Sequence, residues 1–285
     1  GPSGTTGCID TLRQKIVIYP TPIASFNVNN ICKYDSVVFQ NTTDTIIPNL
    51  TFNWDFDNGQ FSNSYSPNHL YQSANSYTVG LNVTSDYGCG SNVSENIEVY
   101  PIPTSNFTFS NECLGNAINF FNTSTSTYNL TYDWSFGDNS TNESTQDVSH
   151  FYPISDTFNV QLVISSVYNC LDTVNKSVFV FPKPNVNFTN TSACYGELTQ
   201  FTDASSISSG TISNYLWNFD DLSNSIDQNP YHLYANEGTY NVSLSVVSDL
   251  NCSSDTSIVI TVNPLPLADF TFYNACLNEL VDFSN

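Results

Sequence analysis

The feature that most constrains this chain is that it repeats itself. Proline pairs of the form P-x-P stand at Pro20/Pro22, Pro101/Pro103, Pro182/Pro184 and Pro264/Pro266, spaced by 81, 81 and 82 residues. Trp54, Trp134 and Trp217 recur at 80 and 83, and His69, His150 and His232 at 81 and 82. The eight cysteines fall into two series of the same period, Cys8, Cys89, Cys170, Cys252 and Cys32, Cys113, Cys194, Cys276. Four residue types do not share one period by accident, so the chain is a tandem array of small, similar units. Framed from proline pair to proline pair, residues 20–100, 101–181 and 182–263 are three complete repeats. Residues 1–19 then read as the tail of a preceding repeat and residues 264–285 as the opening of a following one. Neither fragment can close a core alone. With no methionine among its 285 residues, the chain is expected to be a mature or excised piece of a longer protein. The alternative is a segment cut without regard to domain edges, with Gly1-Pro2-Ser3 a cloning scar.

Each repeat reads as strands throughout. In the second, SNFTFS alternates apolar and polar residues, NECLGN supplies a turn, and AINFFNTS resumes the alternation. YDWSF is a strand around Trp134. DTFNVQLVISS then places Phe158, Val160, Leu162 and Ile164 on one face. Period-two alternation, β-branched and aromatic residues, and turn clusters every 8–12 residues predict an all-β sandwich of about seven antiparallel strands. The core of the second repeat is expected at Phe107, Phe120, Trp134, Phe158, Val160 and Leu162. Arranged end to end, such units should make a rod, stiffened at each joint by prolines that fix φ.

Composition then removes whole classes of function. Asp and Glu number 26 against five Lys and Arg, a net charge of −21. A phosphate backbone or an anionic membrane surface would repel such a chain, so no nucleic-acid partner is expected. No apolar run is long enough to span a bilayer, so no membrane insertion is expected either. Residues 1–15 contain no apolar stretch of the signal-peptide kind. Aromatics at 14% are too many for a disordered acidic tail. No nucleophile, zinc-protease or phosphate-loop motif occurs, and the chain is not expected to be an enzyme.

Trp54-Asp55-Phe56-Asp57-Asn58-Gly59, Trp134-Ser135-Phe136-Gly137-Asp138-Asn139 and Trp217-Asn218-Phe219-Asp220-Asp221 resemble the W-D-F-G-D-G motif of PKD (polycystic kidney disease) domains. Pro67-Asn68-His69-Leu70-Tyr71 with Ser76-Tyr77-Thr78-Val79, and Pro230-Tyr231-His232-Leu233-Tyr234 with Gly238-Thr239-Tyr240-Asn241-Val242, resemble that family's later P-x-H-x-Y…G-x-Y-x-V pattern. The middle repeat departs, with Ser149-His150-Phe151-Tyr152 and Asp156-Thr157-Phe158. The resemblance covers nearly the whole chain and implies tandem immunoglobulin-like sandwiches. A narrower one rests on Cys113-Leu114-Gly115 and Tyr87-Gly88-Cys89. These are similar to repeats of giant Bacteroidota surface proteins, the type IX-secreted and gliding-motility adhesins of the SprB kind. That resemblance implies a long extracellular or cell-surface array, secreted or anchored at the outer membrane, with no enzymatic centre.

Three histidines invite a metal or catalytic reading, but one per repeat cannot converge on one site. Each is expected to be a half-buried ring tying down a loop, and each tryptophan a core anchor. The acidic turns Asp55/Asp57 and Asp220/Asp221 could hold calcium, but the middle repeat offers only Asp133 and Asp138, and turn-capping carboxylates explain these residues more simply. No other cofactor is expected. N-x-S/T occurs many times in so Asn-, Ser- and Thr-rich a chain. The D-S/T-apolar triplets at Thr11, Ser36, Thr45 and Thr173 resemble sites that Bacteroidota O-glycosylate.

Eight cysteines at fixed slots, with no C-x-x-C, suggest disulfides rather than metal; buried, reduced thiols are the alternative. Spacing alone does not give the connectivity. In a sandwich of the implied kind, Cys32, Cys113, Cys194 and Cys276 fall in the turn after the first strand. Cys89, Cys170 and Cys252 fall between the sixth and seventh, at the opposite end. Bonded Cα atoms lie within about 7 Å, so pairing within one repeat is excluded. What topology permits is Cys32–Cys170 and Cys113–Cys252, with Cys8, Cys89, Cys194 and Cys276 pairing to neighbouring repeats. Such bridges would clamp each joint. The expected role is a structural stalk or filament segment of a very long secreted surface adhesin, giving reach and mechanical continuity. Its partners are neighbouring repeats of the same chain, with surface polysaccharide or self-association as further candidates. The alternatives are a carbohydrate-binding array on a secreted hydrolase and a subunit of a self-assembling extracellular fibre.

Overall fold

The computed structural model describes residue 7 and residues 10–284. Cys8 lies outside them. The described residues contain strands and turns but no helix, so none long and apolar enough to cross a membrane. In the first repeat nine short segments follow one another: β1 (Phe26–Asn27), β2 (Ile31–Cys32), β3 (Ser36–Val38), β4 (Gln40–Asn41), β5 (Thr51–Asp55), β6 (Phe61–Ser62), β7 (Asn68–Leu70), β8 (Asn75–Thr84) and β9 (Gly90–Tyr100). One layer is a five-stranded sheet in the order β2-β9-β8-β5-β6. The facing layer pairs β1 with β4 and β3 with β7.

Alternation along β8 shows why these residues form a sandwich. Tyr77, Val79, Leu81 and Val83 point inward and are buried, while the residues between them face outward. They meet Phe26, Val37 and Phe39 from the facing layer around a fully buried Trp54. The other repeats copy this arrangement. The second has its core at Phe107, Ile118, Phe120, Trp134, Phe136, Phe158, Val160, Leu162 and Ile164, among others. The third centres on Phe188, Phe201, Trp217, Phe219, Val242, Leu244 and Val246. Each core lies within one repeat.

One sequence expectation needs correction. The pairing is not wholly antiparallel: β2 runs parallel to β9, with Ile31 opposite Val99 and Cys32 opposite Tyr100. Ala193–Cys194 lies parallel to Ser253–Asn263 in the same way, and Cys113 makes a parallel bridge to Phe181. The reason is directional. The first strand of a repeat starts in one layer and crosses to the other, where it meets the last strand; both run from the N-terminal to the C-terminal end of the unit. Cys32 and Cys194 end that strand and are also the first residue of the turn that follows it, as expected.

Residues 10–19 carry no strand. At the other end Thr271–Phe272 pairs with Phe283–Ser284, and Phe270, Phe272 and Phe283 all stay more than half exposed.

Candidate functional site: the joint between repeats

Two turns build each joint, one from each repeat. At the C-terminal end of a repeat, the Asp35 amide donates to the Cys32 carbonyl, and Tyr34 between them has φ +69°. The corresponding turns Cys113–Asn116 and Cys194–Glu197 place Gly115 (φ +87°) and Gly196 (φ +80°) at the same position. A turn with positive φ at its third residue favours glycine, which accounts for the C-x-G spelling. At the N-terminal end, the hairpin between the two longest strands turns through Ser166–Cys170. The Ser166 amide donates to the Cys170 carbonyl, Asn169 adopts φ +62°, and the Cys170 amide donates to Ser166 Oγ at 3.2 Å. Ser248–Cys252 repeats this geometry with Asn251 at +61°; Ser85–Cys89 keeps the backbone bond, with Gly88 at +78°, but there the Ser85 hydroxyl donates to the Cys89 carbonyl at 3.2 Å. These are three-residue hairpin loops closed by a left-handed residue.

The turns present their cysteines to one another across the joint. Cys32 is bonded to Cys170 with Cα atoms 5.6 Å apart, and Cys113 to Cys252 at 5.7 Å, both within ordinary disulfide reach. Cys170 and Cys252 are buried, their partners half-buried. Cys89 and Cys194 are half-buried and Cys276 is exposed, and none of the three is bridged to another cysteine among the described residues.

Around the first bridge sits an aromatic clamp that inspection of the sequence missed. Tyr100, the last residue of the first repeat, stacks on Tyr168 of the next repeat's hairpin, with centroids 3.7 Å apart and planes 2° from parallel. Tyr128 closes on Tyr168 edge-on at 4.8 Å. The signal was present: an aromatic immediately before the P-x-P and another two residues before the hairpin cysteine. Tyr19 and Tyr87 obey it too, stacking at 3.8 Å beside Cys89. Pro103, Pro182 and Pro184 are buried at the joints. Just inside the second repeat, Asp172 accepts hydrogen bonds from the Ser105 amide at 2.6 Å and hydroxyl at 2.8 Å, tying the first strand to the last. Burial pushes the Asp172 carboxyl up, but those hydrogen bonds and one from the Thr173 amide outweigh it and hold it below the usual carboxylate range.

The remaining singled-out residues lie away from the joints and do not come together. Trp54, Trp134 and Trp217 are fully buried, and each indole N–H donates to a loop carbonyl, those of Ser64, Thr145 and Asp227, at 2.9–3.0 Å. The histidine rings stack on Phe56, Phe136 and Phe219 at 3.9–4.1 Å. His150 and His232 meet Asp138 and Asp221 at 2.7 Å, whereas His69 meets Asn58 at 2.8 Å. Burial raises the Asp138 and Asp221 carboxyls, yet hydrogen bonds from Ser140 and Ser223 and from the histidines bring both net below the usual range. Burial lowers His69. Asp57 and Asp220 accept from the Thr78 and Asn241 amides at 2.9 and 2.8 Å, so these carboxylates fasten loops to strands. Among the described residues no three His, Cys, Asp or Glu side chains gather as a metal cluster would. Thr11, Ser36, Thr45 and Thr173 are all exposed, Ser36 and Thr173 within strands.

Comparison with known proteins places these features. The sequence profile of the PKD domain matches residues 19–100, 101–180 and 181–262. Collagenase ColA of Bacillus cereus is 34% identical over 70 residues, which is 25% of this chain and 7% of that enzyme. Collagenase ColQ1 of Bacillus cereus strain Q1 is 39% identical over 61 residues, 21% of this chain and 6% of that one. The chain thus spans a small fraction of these relatives. Among solved structures, the PKD1 domain of the Vibrio cholerae metalloprotease PrtV is 27% identical, covering 30% of this chain and 99% of that one with a TM-score of 0.27.

Proposed function

Given that this chain belongs to the PKD domain family, we propose that it is a stalk segment of a very long secreted surface adhesin, giving reach and mechanical continuity. Domains of this family are ordinarily non-catalytic, and disulfides belong to oxidising, extracellular compartments. The observation that carries the reading is the recurrence of the joint. A bridge of the same geometry, from the end of a first strand to the next repeat's hairpin, occurs at both complete junctions. A binding module gains nothing from such a bond to its neighbour, whereas a load-bearing column gains a second covalent connection at each joint. We extend the pairing rule to Cys89 and Cys194, which occupy the same turns as bridged cysteines, and assign them to bridges with further repeats. Immuno-electron microscopy of surface material with an antibody to this segment tests the reading. Label along thin fibres supports it; label confined to a soluble enzyme overturns it.

One observation favours a second reading, carbohydrate binding by the first repeat. Gly80 sits in mid-strand, and a Cβ there would meet only Ser94 Oγ, at 3.8 Å. Its absence leaves a hollow of about 240 Å³ bordered by Asn53, Asp55, Asn82, Asn92 and the exposed ring of Phe61. Glycine in a strand interior often marks close approach by another molecule. The pairing registers put Gln161 and Ser243 at this position in the other repeats. A glycan array probed with the chain and with Gly80→Gln separates the readings: binding that the substitution abolishes favours this one.

A further inference from the structure

Following the covalent bonds across the two bridged joints reveals two routes. In the first repeat, residues Pro20 to Cys32 and Cys89 to Tyr100 both run from its N-terminal to its C-terminal end, and β2 and β9 finish side by side. At the joint each route crosses separately. Tyr100 continues by peptide bonds into the first strand of the second repeat. Cys32 crosses by its disulfide to Cys170, at the head of that repeat's last strand, Leu171–Phe179. At the next joint the roles exchange. The first-strand route now ends at Cys113 and crosses by disulfide to Cys252, while the last-strand route passes Phe181 by peptide bonds to reach Cys194.

We infer that the array carries tension on two interleaved covalent threads, and that this makes it inextensible. One thread runs Pro20–Cys32, Cys170–Cys194; the other runs Cys89–Cys113, Cys252–Cys276. Each alternates between being the last strand of one repeat and the first strand of the next. The intervening residues 33–88, 114–169 and 195–251, which hold the tryptophans and most of each core, hang off both threads. This inference rests on the stalk reading for its biological meaning, but not for its mechanics.

Magnitudes decide what the arrangement does. The last strand of the first repeat has 11 residues and spans about 36 Å as a folded strand. Pulled straight, the same residues reach about 40 Å. A thread therefore has almost no slack. An unbridged repeat of 81 residues could pay out about 290 Å once unfolded. In the bridged array, core residues can melt without lengthening it. Within the 138- and 139-residue separations of the bonded cysteines, residues 33–88, 114–169 and 195–251 are thus kept out of reach of the applied force, while 89–113 and 170–194 in the same loops belong to the other thread.

The connectivity predicts which bond guards which pair of points, and optical-trap stretching of the full chain tests it. Bioorthogonal handles at Thr21 and Ser192 lie on the first thread, and handles at Ser94 and Asn263 lie on the second. Under oxidising conditions either pair should stop at about 120 Å or less, and after reduction in the trap at about 600 Å, a fivefold change. Cys32→Ser should release the Thr21–Ser192 pair more than fourfold and leave the other pair unchanged. Cys252→Ser should do the reverse. The covalent limit does not depend on folding, so a destabilised variant still reads correctly. Extension of the oxidised chain well past the limit, or the same effect of both substitutions on both pairs, overturns the inference. Either result would leave the stalk reading to be decided at the cell surface.

Discussion

Trp134→Ala probes whether each repeat stands on its own core. Trp134 is fully buried, with Phe107 and Phe120 centroids at 5.1 and 5.9 Å. Truncating so large a buried ring costs about 3–5 kcal/mol through lost transfer energy and the cavity left behind. Its N–H also satisfies the Thr145 carbonyl at 3.0 Å, and losing that bond adds about 1 kcal/mol. A total of about 4–6 kcal/mol is comparable to the whole stability of a small domain, so the second repeat should be largely unfolded. The bridges from Cys113 and Cys170 hold both its ends to folded neighbours, which limits the entropy gained on melting. Unfolding should therefore be deeper in reductant than in air. The substitution leaves Trp54 and Trp217 as fluorescent reporters of the flanking repeats, while hydrogen exchange at Thr157–Ser166 reports the second. The expected outcome is lost protection there with both reporters unchanged. Retained protection would refute the core assignment, and simultaneous melting of all three repeats would refute their independence.

Three further outcomes follow from the joint and the loops. Tyr168→Ala removes the stack on Tyr100 and should cost about 1 kcal/mol, seen as wider inter-repeat angles in residual dipolar couplings with no change in either core. Asp172→Ala should destabilise the second repeat by about 1–2 kcal/mol, since Ser105 loses a charged acceptor that is partly solvent-screened. Because the Asp172 carboxyl is held low, that difference should be full at neutral pH and shrink as acidification takes the carboxyl through its lowered folded-state value; a difference that acid leaves undiminished would exclude the hydrogen-bond explanation. His69 is lowered by burial, so the unfolded first repeat binds a proton more readily and stability should fall as pH drops below about 6.5. Asn58→Asp, which copies the pairing of the other repeats, should blunt that loss in pH-dependent melting.

Much of this protein is legible in one dimension, because what recurs at fixed spacing must recur in space. The 81-residue period, the alternation that put Phe158, Val160 and Leu162 on one buried face, and the tryptophan at the centre of each core all follow from local rules. A strand buries every second side chain, and each unit buries its face against its own partner layer. The cysteine pairing needed more than spacing: it needed the ends at which the two turns lie, and that came only with the implied sandwich. Other features depended on three dimensions altogether. The parallel seating of β2 on β9 arises because the first strand changes layers midway, and nothing in the pattern I-C-K-Y announces a crossing. Tyr100 and Tyr168 meet although 68 positions separate them, since stacking is set by how two repeats abut and not by either sequence alone. The two-threaded path belongs to the same class. It is a property of which strand ends lie side by side, and a linear sequence does not contain adjacency until the chain has folded.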